Sequence, residues 1–408
     1  MTRTGTLHAS VALAALAIAG LAAAPASAGE DAIRIAVVND QSGPFSDYGG
    51  AGSVIAAKLA ADEFGGKILG KPIEIVGVDH QNKPDVAANI VREMFDVGKA
   101  DVIMDGAASS AALAMQAIAR ERGKIFLING AATGELTGKE CSPTGIHISA
   151  DTYSIAKGAV QAVTQSGRDS WFFITADYAF GHALESQAAE VVAESGGTVL
   201  GSVKHPMGTI DYSSYVLAAQ ASGAKAIGMA NAGGDLVNTI KASQEFGVAA
   251  GGQTIVGFLL DFVDINALGP DAAQGISFVV PFYWDLNEET RAFTKRFMDA
   301  GAPRPPSHFQ AGAYAAMLHY LKAVEAAGTD DGPTVAEKMR QMPMNDMYHA
   351  GTKIREDGRV LNDLHLMEVK KPSEIRYQYD YLRVVATLPG DSGVYRPISE
   401  GGCAYVKQ

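Results

Sequence analysis

The chain is poor in clustered cations, and it lacks nucleotide loops and catalytic signatures. Its 33 Lys and Arg are outnumbered by 45 Asp and Glu, for a net charge of -12, and no stretch gathers the basic residues. Such a surface repels polyanions, so nucleic acid is not an expected partner. No G-x-x-x-x-G-K-[ST] occurs, which removes P-loop chemistry. G-x-S-x-G and H-E-x-x-H are absent as well, and the nine histidines are scattered. His147, His205, His308, His319 and His365 each stand in an ordinary strand or helix context. No nucleophile, acid-base pair or metal set assembles, so the chain is expected not to be an enzyme and to need no cofactor or metal.

Long apolar runs are confined to the N-terminus. Arg3 precedes an apolar and small-residue run at 11–24, followed by the small-x-small triplet at 26–28. This is the pattern of a secretory signal peptide covering residues 1–28, cut after Ala28. The run is shorter than the roughly 20 residues a membrane span requires. The remainder is expected in the periplasm. Cysteine is nearly absent, with Cys141 and Cys403 alone. In an oxidising compartment an even count permits a disulfide between them, and two free thiols are the alternative.

What remains is a regular alternation. Short β-branched runs at 32–38, 72–79, 101–106 and 124–130 are separated by Ala-rich helical periods, and the pattern restarts near residue 148. Repeated βα units imply a parallel sheet covered on both faces, and 408 residues allow two such units. Beyond residue 276 one strand, three helices and a hairpin-like pair at 349–357 and 362–371 complete the two earlier units.

Open α/β sheets bind ligands at the C-terminal ends of their strands. The stretch NDQSGPFSDYGGAGS at 39–53 follows the first strand, with Ser42, Phe45 and Tyr48 as candidates. Gly50 and Gly52 are followed by Ile55 where a dinucleotide fingerprint places its third glycine, so a nucleotide is not expected. After the third strand, Ser109 or Ser110 is expected to cap the next helix and to receive a carboxylate. Small Ala131 and Ala132 with Thr133 follow the fourth. In the second unit Tyr178 and Phe180, then Asn231 and Asp235, occupy equivalent ends.

The stretches IRIAVVNDQSGPFSDYGG, ADVIMDGAASSAALA, FLINGAATGELTG, DYAFG and FQAGAYAAM resemble the type I periplasmic solute-binding proteins of the leucine/isoleucine/valine-binding family, the receptors of ABC importers. The resemblance covers nearly the whole chain beyond residue 28. It implies an α/β fold of two Rossmann-like lobes joined by three hinge crossovers, near Ser149, Phe278 and Thr352. Lobe one is then 29–149 plus 279–351, lobe two 150–278 plus 352–385, and 386–408 an extended tail pinned at Cys403 if the disulfide forms. It also implies a small ligand between the lobes, a membrane permease as partner and a monomer.

Carried over singly, Tyr48 matches the aromatic of the first loop, Ser110 or Ser109 the carboxylate-binding serine, and Ala131 and Thr133 the contacts of the AAT turn. Phe180 matches the tyrosine that covers the ligand, and Phe309 an aromatic wall. Tyr153 and Phe258, with Phe45 and Tyr178, are further aromatic candidates. One departure stands out. Where amino-acid receptors of the family place an acid to hold the ligand ammonium, this chain has Leu259, with Asp235 and Asp261 nearby. The ligand is thus either an aromatic or other organic carboxylate, or an amino acid held by one of those aspartates. A ligand-binding sensor and a secreted α/β enzyme are the rival functions.

Overall fold

The computed structural model describes residues 32–406 together with the first two residues, so the expected signal peptide and its cleavage after Ala28 lie outside the described residues. The first lobe opens with β1 (Ile33–Asn39), α1 (Gly50–Asp62), the short β2 (Lys67–Ile68), β3 (Lys71–Asp79), α2 (Pro84–Asp96), β4 (Val102–Asp105), α3 (Ser109–Glu121), β5 (Ile125–Ile128) and β6 (Gly145–His147). These strands form one sheet in the order β2-β3-β1-β4-β5-β6. All its pairings are parallel except the β2–β3 ribbon. Buried on both faces, β1 and β5 carry near-continuous apolar runs, as parallel strands under two helical layers must.

The second lobe follows with α4 (Thr152–Gln165), β7 (Ser170–Ala176), α5 (Ala179–Glu194), β8 (Thr198–His205), α6 (Ser213–Ala221), β9 (Ala226–Ala232), α7 (Gly233–Glu245), β10 (Thr254–Leu259), α8 (Phe262–Leu268), α9 (Pro270–Ala273) and β11 (Ser277–Val280). Its parallel sheet runs β10-β9-β7-β8. The chain then returns to the first lobe as α10 (Glu288–Asp299), α11 (His308–Ala327), α12 (Gly332–Gln341), β12 (Met344–Asn345) and β13 (Ala350–Thr352), with α11 packed along α1. It ends as β14 (Leu364–Val369), β15 (Leu382–Leu388) and α13 (Ile398–Gly401). An antiparallel sheet β11-β14-β15 lies beside β10.

Residues 148–151, 281–287 and 353–363 connect β6 to α4, β11 to α10 and β13 to β14. Phe278, near which the second crossover is expected, sits inside β11 and pairs with Met367. Of the hairpin expected from 349–357 and 362–371 only the tip forms, where Ile354 bridges Val360 in antiparallel fashion and Arg355 N donates to Arg359 O at 2.8 Å. β13 pairs with β12 and β14 with β11 and β15, because the turn between them is held at the edge of the first sheet. There His147 N donates to Gly358 O at 2.8 Å and Val360 N donates to His147 O at 3.0 Å. Residues 386–388, expected as the start of the tail, belong to β15. Cys141 and Cys403 are disulfide-bonded across 262 residues of sequence, which resolves the alternatives left open by the cysteine count. Among the described residues no helix is long and apolar enough to cross a membrane.

Candidate functional site

The loop after β1 is shaped by one carboxylate. Buried Asp40 accepts from Gly43 N at 2.7 Å, Phe45 N at 2.8 Å and Asn82 Nδ2 at 2.6 Å. These bonds turn the chain outward and bring Phe45 and Tyr48 to the second lobe. Gly52 permits α11 to approach: a Cβ there would lie 2.2 Å from Gln310 Nε2, which donates to Gly49 O at 3.0 Å.

Between the lobes lies a small space of about 10 Å³, roughly room for one water molecule. The first lobe lines it with Phe45, Tyr48, Ala107, Ser109, Gly130, Ala132 and Phe309, the second with Tyr178, Phe180, Ala232 and Leu259. The rings form a chain, with centroids 4.9 Å apart for Tyr48–Phe309, 6.2 Å for Phe45–Tyr48, 6.4 Å for Phe45–Tyr178 and 6.0 Å for Tyr178–Phe180. No lining side chain is charged. Burial raises the Tyr178 phenol, with the charge of Asp235 a smaller cause, so it stays protonated.

The polar end of this space is the start of α3. Ala108, not a serine, is the N-cap and offers no side-chain bond, so the capping expected of Ser109 or Ser110 is not made. The first-turn N–H groups keep their partial positive charge. Ser109 Oγ accepts from Thr133 N at 3.3 Å, leaving its own proton to donate.

The structure brings Phe45, Tyr48, Ser109, Ala132, Tyr178, Phe180 and Phe309 together at this space. The remaining expected residues are placed elsewhere. Ser110 follows Ser109 on α3 and is outside the lining. The Ala131 carbonyl is occupied by His147 Nε2 at 2.8 Å and Ser149 Oγ at 2.5 Å, and Ala132 takes its place in the wall. Thr133 Oγ1 accepts from Glu135 N at 3.4 Å. Tyr153 lies in a separate polar groove under Arg396, whose guanidinium is 4.4 Å from its ring.

Asn231 and Asp235 point into the second lobe. Asn231 Nδ2 donates to Thr239 Oγ1 at 2.9 Å, and Asp235 accepts from Tyr212 OH at 2.7 Å and Gly208 N at 3.0 Å. Phe258 stacks in the core, 6.3 Å from both Trp171 and Phe173. Adjacent strand residues face opposite ways, so Leu259 reaches the cleft and Phe258 cannot.

Neither aspartate near Leu259 is free to hold an ammonium. Asp235 is spent as described, and Asp261 Oδ2 accepts from His308 N at 2.9 Å and His308 Nδ1 at 2.7 Å. A third acid, Asp264, accepts from the Tyr48 phenol at 2.7 Å. Burial, then the nearby Asp261 charge, pushes the Asp264 carboxyl well above the usual carboxylate range. Burial and Asp264 likewise raise Tyr48. Asp264 was not foreseen, and its only sequence signal is the D-x-x-D spacing with Asp261 that makes a capping box.

Residues 32–374 match the protein family described as periplasmic binding protein. The chain belongs to that family. Its architecture is that of a periplasmic binding protein from Burkholderia mallei, to which it is 43% identical with a TM-score of 0.90, over 93% of this chain and 100% of the other. A branched-chain amino acid ABC transporter periplasmic ligand-binding protein from Burkholderia xenovorans is 36% identical with a TM-score of 0.81, over 91% and 99%. Among curated relatives, Leu/Ile/Val-binding protein homolog 6 of Brucella melitensis is 24% identical over 396 residues, 94% of this chain and 98% of the relative. This periplasmic binding protein is thus a type I member of the leucine/isoleucine/valine-binding family, whose members are solute-binding proteins.

Proposed function

We propose that the protein is the receptor of an ABC importer that captures a small aromatic carboxylate between its lobes and hands the closed complex to a membrane permease. No bond is made or broken, and the three crossing segments act as hinges. Lobe one is proposed to comprise residues 32–147 with 288–352, and lobe two 152–280 with 364–388. The observation that carries the ligand class is the lining: rings, small residues and Leu259, with no charged side chain. An α-ammonium closed into such a space would remain unpaired, at a cost of several kcal/mol. A planar acid instead sets its carboxylate at Ser109 and the α3 amides and its ring among the aromatics. Solved proteins of this fold from Rhodopseudomonas palustris hold benzoate, 3,4-dihydroxybenzoic acid and 4-hydroxybenzoate, and at 19% to 23% identity they share the fold alone.

A thermal-shift screen of benzoates, aliphatic acids, amides and branched-chain amino acids tests this, because a ligand that binds only the folded form raises the melting temperature. Stabilisation by one or more aromatic acids is expected. Stabilisation by leucine or valine and by no aromatic acid would overturn the ligand class.

A further inference from the structure

The Tyr48 hydroxyl meets three groups of the second lobe. It donates toward Asp264 Oδ2 at 2.7 Å and Leu259 O at 3.2 Å, and it accepts from Gly233 N at 2.9 Å. A phenol has a single proton, so no donor is left for a solute and only the ring faces the cleft. Asp264 and Asp261 form the capping box of α8, in which Asp264 Oδ2 also accepts from Asp261 N at 2.8 Å. Asp261 reaches the first lobe as well, through His308 N and Nδ1. Ser307 Oγ donates to Tyr48 O, which links the two anchor points within the first lobe. One short helix start therefore sets two buried carboxylates on two residues of the opposite lobe.

The backbones are equally close. Gly233 has a φ of +58°, and a Cβ there would sit 2.6 Å from Pro44 O. Each of these contacts joins protein to protein, so none requires a solute to complete it. All the side chains involved are buried.

We propose that Asp261 and Asp264, acting on His308 and Tyr48, form a solute-independent latch that holds the cleft closed, so that the closed form is populated before solute arrives. Solute entry then requires the latch to open, because the closed space is too small for an organic acid. The proposal rests on the two-lobed architecture and not on the ligand class.

Small-angle X-ray scattering on the mature protein tests it, with solute stripped by unfolding and refolding with the disulfide intact. The wild type is expected to scatter as the closed form without any solute. D261N/D264N is expected to shift to an expanded, open profile. Because Asp261 also caps α8, a second pair, Y48F/H308A, removes both side-chain donors of the latch from the other lobe, leaving only the backbone N–H of residue 308, and keeps that cap intact. Circular dichroism confirms that each variant is folded. An open profile for the solute-free wild type would overturn the proposal, as would a closed profile in the folded variants with only a lowered melting temperature. Because no solute is present, the result is separable from failure to find an aromatic ligand.

Discussion

Arg359 donates from its guanidinium to Nδ1 of His147, and this contact joins the third interlobe segment to the last strand of the first sheet. Nδ1 therefore accepts, and Nε2 carries the proton it gives to Ala131 O. Arg359 is fully buried, with Asp151 Oδ2 at 3.3 Å and the Tyr395 ring centroid at 5.5 Å. It also donates to Ser149 O, so one cation binds the first and third segments together. Replacing it by a neutral side chain, R359M, leaves Asp151 buried without its charge partner. The expected loss is about 3 to 5 kcal/mol of unfolding free energy, read by urea denaturation, and a loss under about 1 kcal/mol would contradict this role.

His80 makes the protein acid-sensitive. Its imidazole is buried, Nδ1 accepts from Asn82 N at 3.0 Å, and desolvation holds its pKa down to about 4 against the opposing charges of Asp40 and Asp79. Between roughly 6.5 and that value the unfolded chain takes up a proton that the folded chain refuses. The contribution of His80 is therefore complete above about pH 6.5 and is lost as pH falls toward 4, by about 3 kcal/mol in all. His147 shifts the same way through burial and Arg359. Melting temperatures across this range should fall less steeply in H80Q than in the wild type. Equal slopes would contradict the assignment.

The disulfide ties the C-terminal segment to Cys141, ahead of β6. Arg355 donates to Arg396 O at 2.8 Å, and Arg396 donates to Glu190 of α5 at 3.0 Å before the chain reaches Cys403. Removing a native disulfide typically costs about 2 to 5 kcal/mol. C141S/C403S should melt several degrees lower than the wild type, and an unchanged melting temperature would show that packing alone holds the segment.

The fold was legible because apolar runs of strand length alternate with helical periods, and β1, β5, β7 and β9 stand where those runs lie. Tyr48, Ser109 and Phe180 were legible because strand ends and their following helices face the cleft in this topology, whereas Phe309, on α11 after another helix, was legible only through the family resemblance. Asn231, Asp235 and Phe258 lie at the same strand ends yet point inward. Their direction depends on a one-residue phase and on partners such as Thr239, Tyr212 and Trp171 that only the folded chain brings near. The hairpin expected around residue 360 stops at its tip, the Ile354–Val360 bridge, for a related reason. Its turn is held by His147 and Arg359 from distant sequence, and no local pattern announces that. Asp264 carries only a capping signal, since its partner Tyr48 is 216 residues away.

Calorimetric titration of the most stabilising acid into wild type, S109A and S110A tests solute capture at the α3 end of the cleft most directly. Ser109 lines the space with a proton to give, and Ser110 does not line it. Losing a hydrogen bond to a charged group costs about 1.5 to 3 kcal/mol, so S109A is expected to bind at least about 10-fold more weakly. S110A should stay within about 2-fold of the wild type, because it removes no contact worth more than RT. Equal affinities in all three proteins, or a loss confined to S110A, would contradict the account.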